Sequence, residues 1–260
     1  MKVMIWLGFC LVLFGPACRA TNPAGNDPGS ASCPMVLIDM VTDRLGLPDL
    51  EPDRGQGRST PLVASACKAD PAQPAHTYVA LAYDEGEPDT KTLVLAITVG
   101  DRVLADYRGE ITEDATLTLQ SDSLRIDTAP YRLAKGVRAF GLDLNGWQSP
   151  NCGDGGTGPT RSLYIREGKH IRPVLTHMYL SSWHYIAEGQ GRCNPRAPVD
   201  APTIIEETAY SLGVLPGMTH GFHDLLVTAK SSRDDGKPSE SAGHWTLKYT
   251  GRQYPQPNLW

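Results

Sequence analysis

The chain has 260 residues, with 24 basic and 29 acidic side chains and a formal net charge of −5. A mildly acidic chain with no basic block is not expected to bind nucleic acid, nor to dock on anionic lipid by charge. Gly and Pro number 26 and 21 while aromatics stay at 7%, which points to a loop-rich, β-rich globular protein.

Residues 1–20 have the layout of a secretory signal peptide. Lys2 supplies a positive start, residues 3–14 (VMIWLGFCLVLF) form an unbroken apolar run, and Gly15, Pro16 and Ala17 end it. The run is too short for a lasting membrane helix, which needs ~20 apolar residues. The mature chain is therefore expected to be periplasmic or secreted. A cut after Ala20 leaves the small residues Cys18 and Ala20 at the positions a signal peptidase reads. A cut after Ala17 would instead make Cys18 the first residue, where a bacterial lipoprotein carries its acyl chains, although Gly15-Pro16 departs from the usual pattern. In that alternative the protein is anchored through Cys18, its one contact with a membrane, and its body stays soluble.

Cys33, Cys67, Cys152 and Cys193 follow the signal. Four cysteines in an oxidising compartment predict two disulfides, and three pairings are open. Cys33 with Cys67 and Cys152 with Cys193 join sequence neighbours and would each close a loop of roughly 35 to 41 residues, worth ~3–4 kcal/mol. A zinc site is disfavoured because no pair has C-x-x-C spacing.

Residues 21–32 (TNPAGNDPGSAS) form a polar leader that buries nothing. A helix is predicted over 32–47, with Ser32 as N-cap, Pro34 in the first turn, Met35, Ile38, Val41 and Leu45 on one face, and Gly46 at the end. Residues 51–60 read as loop. From Thr77 the hydrophobic period becomes two. Val79, Leu81 and Tyr83 share a face, as do Leu93, Leu95, Ile97 and Val99, and Gly100-Asp101 turns into the next strand. Further strands are expected at 116–119, 124–126, 137–144, 162–166, 170–175, 177–186, 203–212, 221–229 and 244–249, with a polar loop before the last. Ten to twelve antiparallel strands and one short N-terminal helix make an all-β fold, as a sandwich, a barrel or a partial propeller. Residues 33–260 are taken as a single domain, with a subdivision near 145–160 left open.

Three stretches, CKADPAQPAHTYVALAY, IDTAPYRLAKGVRAFGLDL and LYIREGKHIRPVL, resemble a group of uncharacterised exported β-rich proteins of Gram-negative bacteria that share an Ala-Phe-Gly strand and an Arg-Glu-Gly hairpin. The resemblance runs from about Cys67 to Tyr254 and implies export and a β fold, with no activity attached. Separately, GFHDLLVTA followed by YTGRQY is similar to the Asp-Leu-x-Val strand of FG-GAP propeller repeats. Those repeats carry an acidic calcium loop before that strand. Here residues 216–220 (PGMTH) stand in its place without acidic ligands, which counts against calcium.

Candidate chemistry is sparse. His220, His223 and Asp224 form the densest polar cluster, but neighbours on a strand point to opposite faces, so a turn with an exposed His is the preferred reading over a metal site. Residues 181–185 (SSWHY) could suggest a hydrolase, yet G-x-S-x-G and H-E-x-x-H are absent and strand alternation accounts for Trp183 and Tyr185. Asp143, Asn145 and Asp154 could wrap a cation, but a turn held by Cys152 explains them as well. Glu206-Glu207 reads as a solvated strand edge rather than a catalytic dyad. Trp147, Trp183, Trp245 and Trp260 could line a carbohydrate or peptide surface, though tryptophans in β proteins mostly serve the core.

The expectation is thus an exported envelope protein without cofactor, acting as a non-catalytic binding or structural module toward an envelope protein or ligand. His220, His223 and Trp183 are its candidate contacts. The alternative is an envelope hydrolase using His184 or His223 as base, and Cys18 anchorage would suit a structural lipoprotein. Intact mass spectrometry of the mature protein checks the processing. The free form begins at Thr21, the anchored form at Cys18 with acyl chains, and reduction of two disulfides adds about four hydrogens.

Overall fold

The computed structural model describes residues 31–52, 59–114, 117–146, 155–186, 204–239 and 243–257. Cys18, Cys152, Cys193, Asp154, Trp147 and Trp260 lie outside them. The order is α1 (Met35–Leu45), β1 (Leu50–Pro52), β2 (Thr60–Asp70), β3 (Gln73–Tyr83), β4 (Thr90–Val99), β5 (Arg102–Thr112), β6 (Leu124–Ala134), β7 (Val137–Leu144), β8 (Gly155–Thr157), β9 (Thr160–Glu167), β10 (His170–Tyr179), β11 (Ser181–Tyr185), β12 (Ile205–Thr219), β13 (Phe222–Arg233) and β14 (Gly243–Leu247). The fold is all-β with one short helix, as the period-two pattern requires. No helix among the described residues is long and apolar enough to cross a membrane.

Nine strands form one mixed sheet in the order β1-β2-β3-β4-β5-β10-β9-β7-β6, and five form a second in the order β14-β13-β12-β11-β8. The large sheet curls into a half-barrel. Its concave face holds one core, in which Tyr78 of β3 stacks on Phe140 of β7 with ring centroids 4.4 Å apart, beside Leu93, Leu95 and Ile126. A second core lies between the sheets, joining Leu133, Leu163 and Val174 to Leu225, Val227 and Leu247. The outer face of β3 and β4 carries Val79, Leu81 and Val94 and is covered by Ile38 and Val41 of α1. Strands buried on both faces read as nearly continuous apolar runs, which is why TYVALAY and TLVLAITV stand out in the sequence.

Several expectations hold and several are corrected. Cys33 and Cys67 form a disulfide across 34 residues, tying the start of α1 to β2. Gly46 closes α1 in the left-handed conformation, but Pro34, not Ser32, is the N-cap, and Met35 is exposed. Proline there leaves the cap without a side-chain acceptor. β2 carries little strand signal, because the residues it buries in the concave core are Ala64 and Ala66, and alanine gives almost none. β6 runs well past Ile126 through Pro130, which an edge strand tolerates because its outward N–H needs no partner. The strand expected at 116–119 is reduced, among its described residues, to a single bridge position at Thr118, and Leu117 N–H donates to Asp114 Oδ1 at 2.9 Å. Glu206 is 5% exposed, not solvated, and the Ser239 hydroxyl donates to its Oε2.

The interior also holds charge. Arg161 of β9 donates from Nε and Nη2 to both oxygens of Asp143 at 2.6 and 2.8 Å, and its Nη1 meets Asp127 Oδ2 at 2.7 Å. The Asp143 side chain is 4% exposed, and Arg125 and the Tyr131 hydroxyl complete the cluster. Gly141 permits it, since a Cβ there would lie 3.1 Å from Asp127 Cβ. A second cluster pairs Arg138 with Asp70 at 2.5 Å, and Tyr78 donates to the same carboxylate at 3.0 Å.

Two outcomes follow. Arg161→Met strands two largely buried carboxylates and lowers stability by about 3–5 kcal/mol in denaturant melts, whereas an unchanged midpoint would mean the cluster is solvated. Burial first, then nearby carboxylate charge or a second phenol, raises the phenol pKa of Tyr78, Tyr131, Tyr164 and Tyr254 above the ordinary tyrosine value, the arginines beside Tyr78 and Tyr131 opposing part of it. The unfolded chain releases those protons first, so stability falls as pH rises above the ordinary tyrosine range. At 295 nm these phenols ionise only as native circular dichroism is lost; reversible titration of all 10 tyrosines in the folded protein would contradict this.

Candidate functional site

Apart from β1, which pairs parallel to β2, the large sheet is two antiparallel runs joined at one place. β5 and β10 are parallel and share a single register pair, His170 with Asp106. Asp106 N–H donates to Lys169 O at 3.2 Å, the bond that closes this junction. Beyond it the strands part. β10 bulges between Pro173 and Leu175 and again between Leu175 and Met178, and Pro173 has no N–H to offer a ladder. The Val174 carbonyl accepts from Tyr254 N–H at 2.6 Å, so the C-terminal segment occupies that edge of β10. The far end of β10 then runs toward the second sheet, where the Leu180 carbonyl accepts from Tyr210 N–H at 2.9 Å.

The divergence opens a cleft of about 590 Å³. Glu110, Ile111 and Thr112 of β5 line one side, and His177 and Tyr179 of β10 the other. Asn145, Thr160 and Asp114 contribute further polar groups. His177 has φ of +51°, a left-handed conformation that a bulge imposes and its N–H bond to Ser162 Oγ at 3.1 Å holds. The bulge is what turns an exposed imidazole to the cleft. Among the described lining residues there is no Lys or Arg, and Glu110 and Asp114 contribute carboxylates. The cleft therefore offers hydroxyl, amide and carboxylate partners.

Of the described residues singled out for candidate chemistry, Asn145 lines the cleft, Asp143 lies on β7 of the large sheet, and the others lie on the second sheet. His220 sits in the two-residue turn between β12 and β13, with φ of +48°, followed by Gly221 at +85°. Asp224 is buried while His223 is half-buried, and the His223 carbonyl accepts from the Tyr254 hydroxyl at 2.6 Å. His223 Nδ1 and Asp224 Oδ1 are buried without a hydrogen-bond partner among the described residues. No three His, Cys, Asp or Glu side chains converge as metal ligands among the described residues. Trp183 packs edge-on to Tyr185 at 5.5 Å, as strand alternation requires, and its ring lies over Gly156 on β8. His184 Nε2 is 3.8 Å from Glu206 Oε1, and Ser239 bonds the same carboxylate. That order puts the carboxylate in the middle, whereas a catalytic triad needs the imidazole there. Asp143 is consumed by Arg161 and Arg125, which removes it from any cation loop.

His177 and Glu110 carried no signal in the sequence. A parallel junction between strands 64 residues apart, and the bulge beside it, leave no local pattern. Compared with known protein families, curated proteins and solved structures, the chain matches none.

Proposed function

We propose that this chain is an exported envelope protein that acts as a non-catalytic binding module, with the cleft between β5 and β10 as its site. The observation that carries the reading is the cleft itself. Its volume of about 590 Å³ falls within the range of small-ligand sites, and an apolar wall at Ile111 is combined with a few convergent polar groups. Export is supported by the apolar run after Lys2 and by the Cys33–Cys67 disulfide, a bond that persists in oxidising compartments. Binding is supported by the described lining residues, which set one imidazole beside hydroxyl and amide groups.

Thr112 is exposed on the cleft side of β5, so Thr112→Trp fills the space without disturbing the core. In a thermal-shift screen of envelope fractions, a ligand at about 100 times its Kd stabilises the native chain by ~2.7 kcal/mol. The same fraction has little effect on Thr112→Trp. Equal stabilisation of both proteins would place the site elsewhere.

A further inference from the structure

We propose that Asn145-Gly146 is a site of spontaneous covalent modification, at which the folded protein deamidates and gains a carboxylate in the wall of the cleft. The chemistry belongs to these two residues and is independent of what the cleft binds. It needs a side-chain amide open to attack, a following backbone nitrogen able to attack it, and no side chain on that next residue to block the approach. Asn145 and Gly146 supply all three, and they form the one Asn-Gly pair in the chain.

β7 ends at Leu144, and Asn145 and Gly146 lie outside any helix or strand. Asn145 is exposed. Its backbone N–H donates to Ser123 O at 2.8 Å, while its side-chain amide and the Gly146 N–H have no hydrogen-bond partner among the described residues. A Cβ on residue 146 would lie 1.9 Å from Leu117 Cδ1 and 3.3 Å from Thr118 O, so Leu117 would have to move to admit any other residue. Packing thus favours glycine after Asn145, and the same missing side chain leaves the backbone nitrogen unshielded.

The step balances with water alone. Gly146 N, on losing its proton, attacks Asn145 Cγ. The N–Cγ bond forms, the Cγ–Nδ2 bond breaks, and the amide nitrogen leaves as ammonia, which closes a succinimide ring. Water then opens the ring. Attack at Cγ gives aspartate, and attack at the main-chain carbonyl carbon gives isoaspartate, whose backbone runs through the side-chain carbons. Either product carries a carboxylate in place of a neutral amide, a covalent change of charge. Asn145 lines the cleft, so newly made and aged molecules differ in the charge of this wall.

The test incubates the full, folded chain in heavy-oxygen water at mildly alkaline pH, with circular dichroism to follow the fold. Digestion in acid, where the reaction is slow, and mass spectrometry of the fragment bearing residue 145 are expected to show loss of the amide. Two new species of equal mass, aspartyl and isoaspartyl, both carry the heavy oxygen, which separates conversion during incubation from conversion in handling. Asn145→Gln, whose longer side chain closes a ring far more slowly, keeps its amide over the same period. An amide retained in the folded chain while the isolated fragment converts overturns the proposal, as does conversion that begins only when native circular dichroism is lost. An aspartyl product without isoaspartate also overturns it, because direct hydrolysis of the amide does not pass through Gly146 N.

Discussion

A sheet assembled from two antiparallel runs has to join them, and here the join is one register pair wide. β2–β5 form one run, extended by β1 parallel to β2, and β6, β7, β9 and β10 the other, and they meet where His170 pairs with Asp106. A longer parallel ladder would close the cleft and cover the edge of β5. A missing one would separate the concave core, in which Tyr78 of the first run stacks on Phe140 of the second. The bulges and proline of β10 hold the geometry between these limits by making β10 a poor partner for β5 after its first residues. The candidate site is thus a consequence of how the half-barrel is joined.

Charge is divided by the same architecture. Asp143 and Asp70 are buried and Asp127 half-buried, and they are spent on Arg161, Arg125 and Arg138, which lock β6, β7 and β9 and tie β7 to β2. Such clusters serve register more than stability, because desolvation offsets much of the attraction. Glu110, by contrast, stays exposed at the cleft.

Legibility followed the strength of the local signal. The helix was readable from Ile38, Val41 and Gly46, and the hairpins from Gly100-Asp101 and Gly168-Lys169, since each turn needs a glycine in a left-handed conformation. Cys33–Cys67 was the favoured one of three open pairings because a short loop costs less to close. β2 was not, because alanine packs against a curled sheet as well as valine does but carries little strand preference. Nor was the rest of β6, because Pro130 ends a strand by rule and survives only at an edge, a position that topology alone decides.

The sequence by itself determined an all-β chain, the one helix and most hairpin turns, all of which rest on contacts between neighbours or on turn chemistry, and it left three disulfide pairings open. Only the tertiary structure decided which edge stays open, which carboxylates are buried and where His177 points. Those depend on β5 meeting β10 across a long separation, and on bulges that redirect side chains without changing the residue pattern. Period-two alternation tells which residues share a face of one strand; it carries no information about which strand lies beside it.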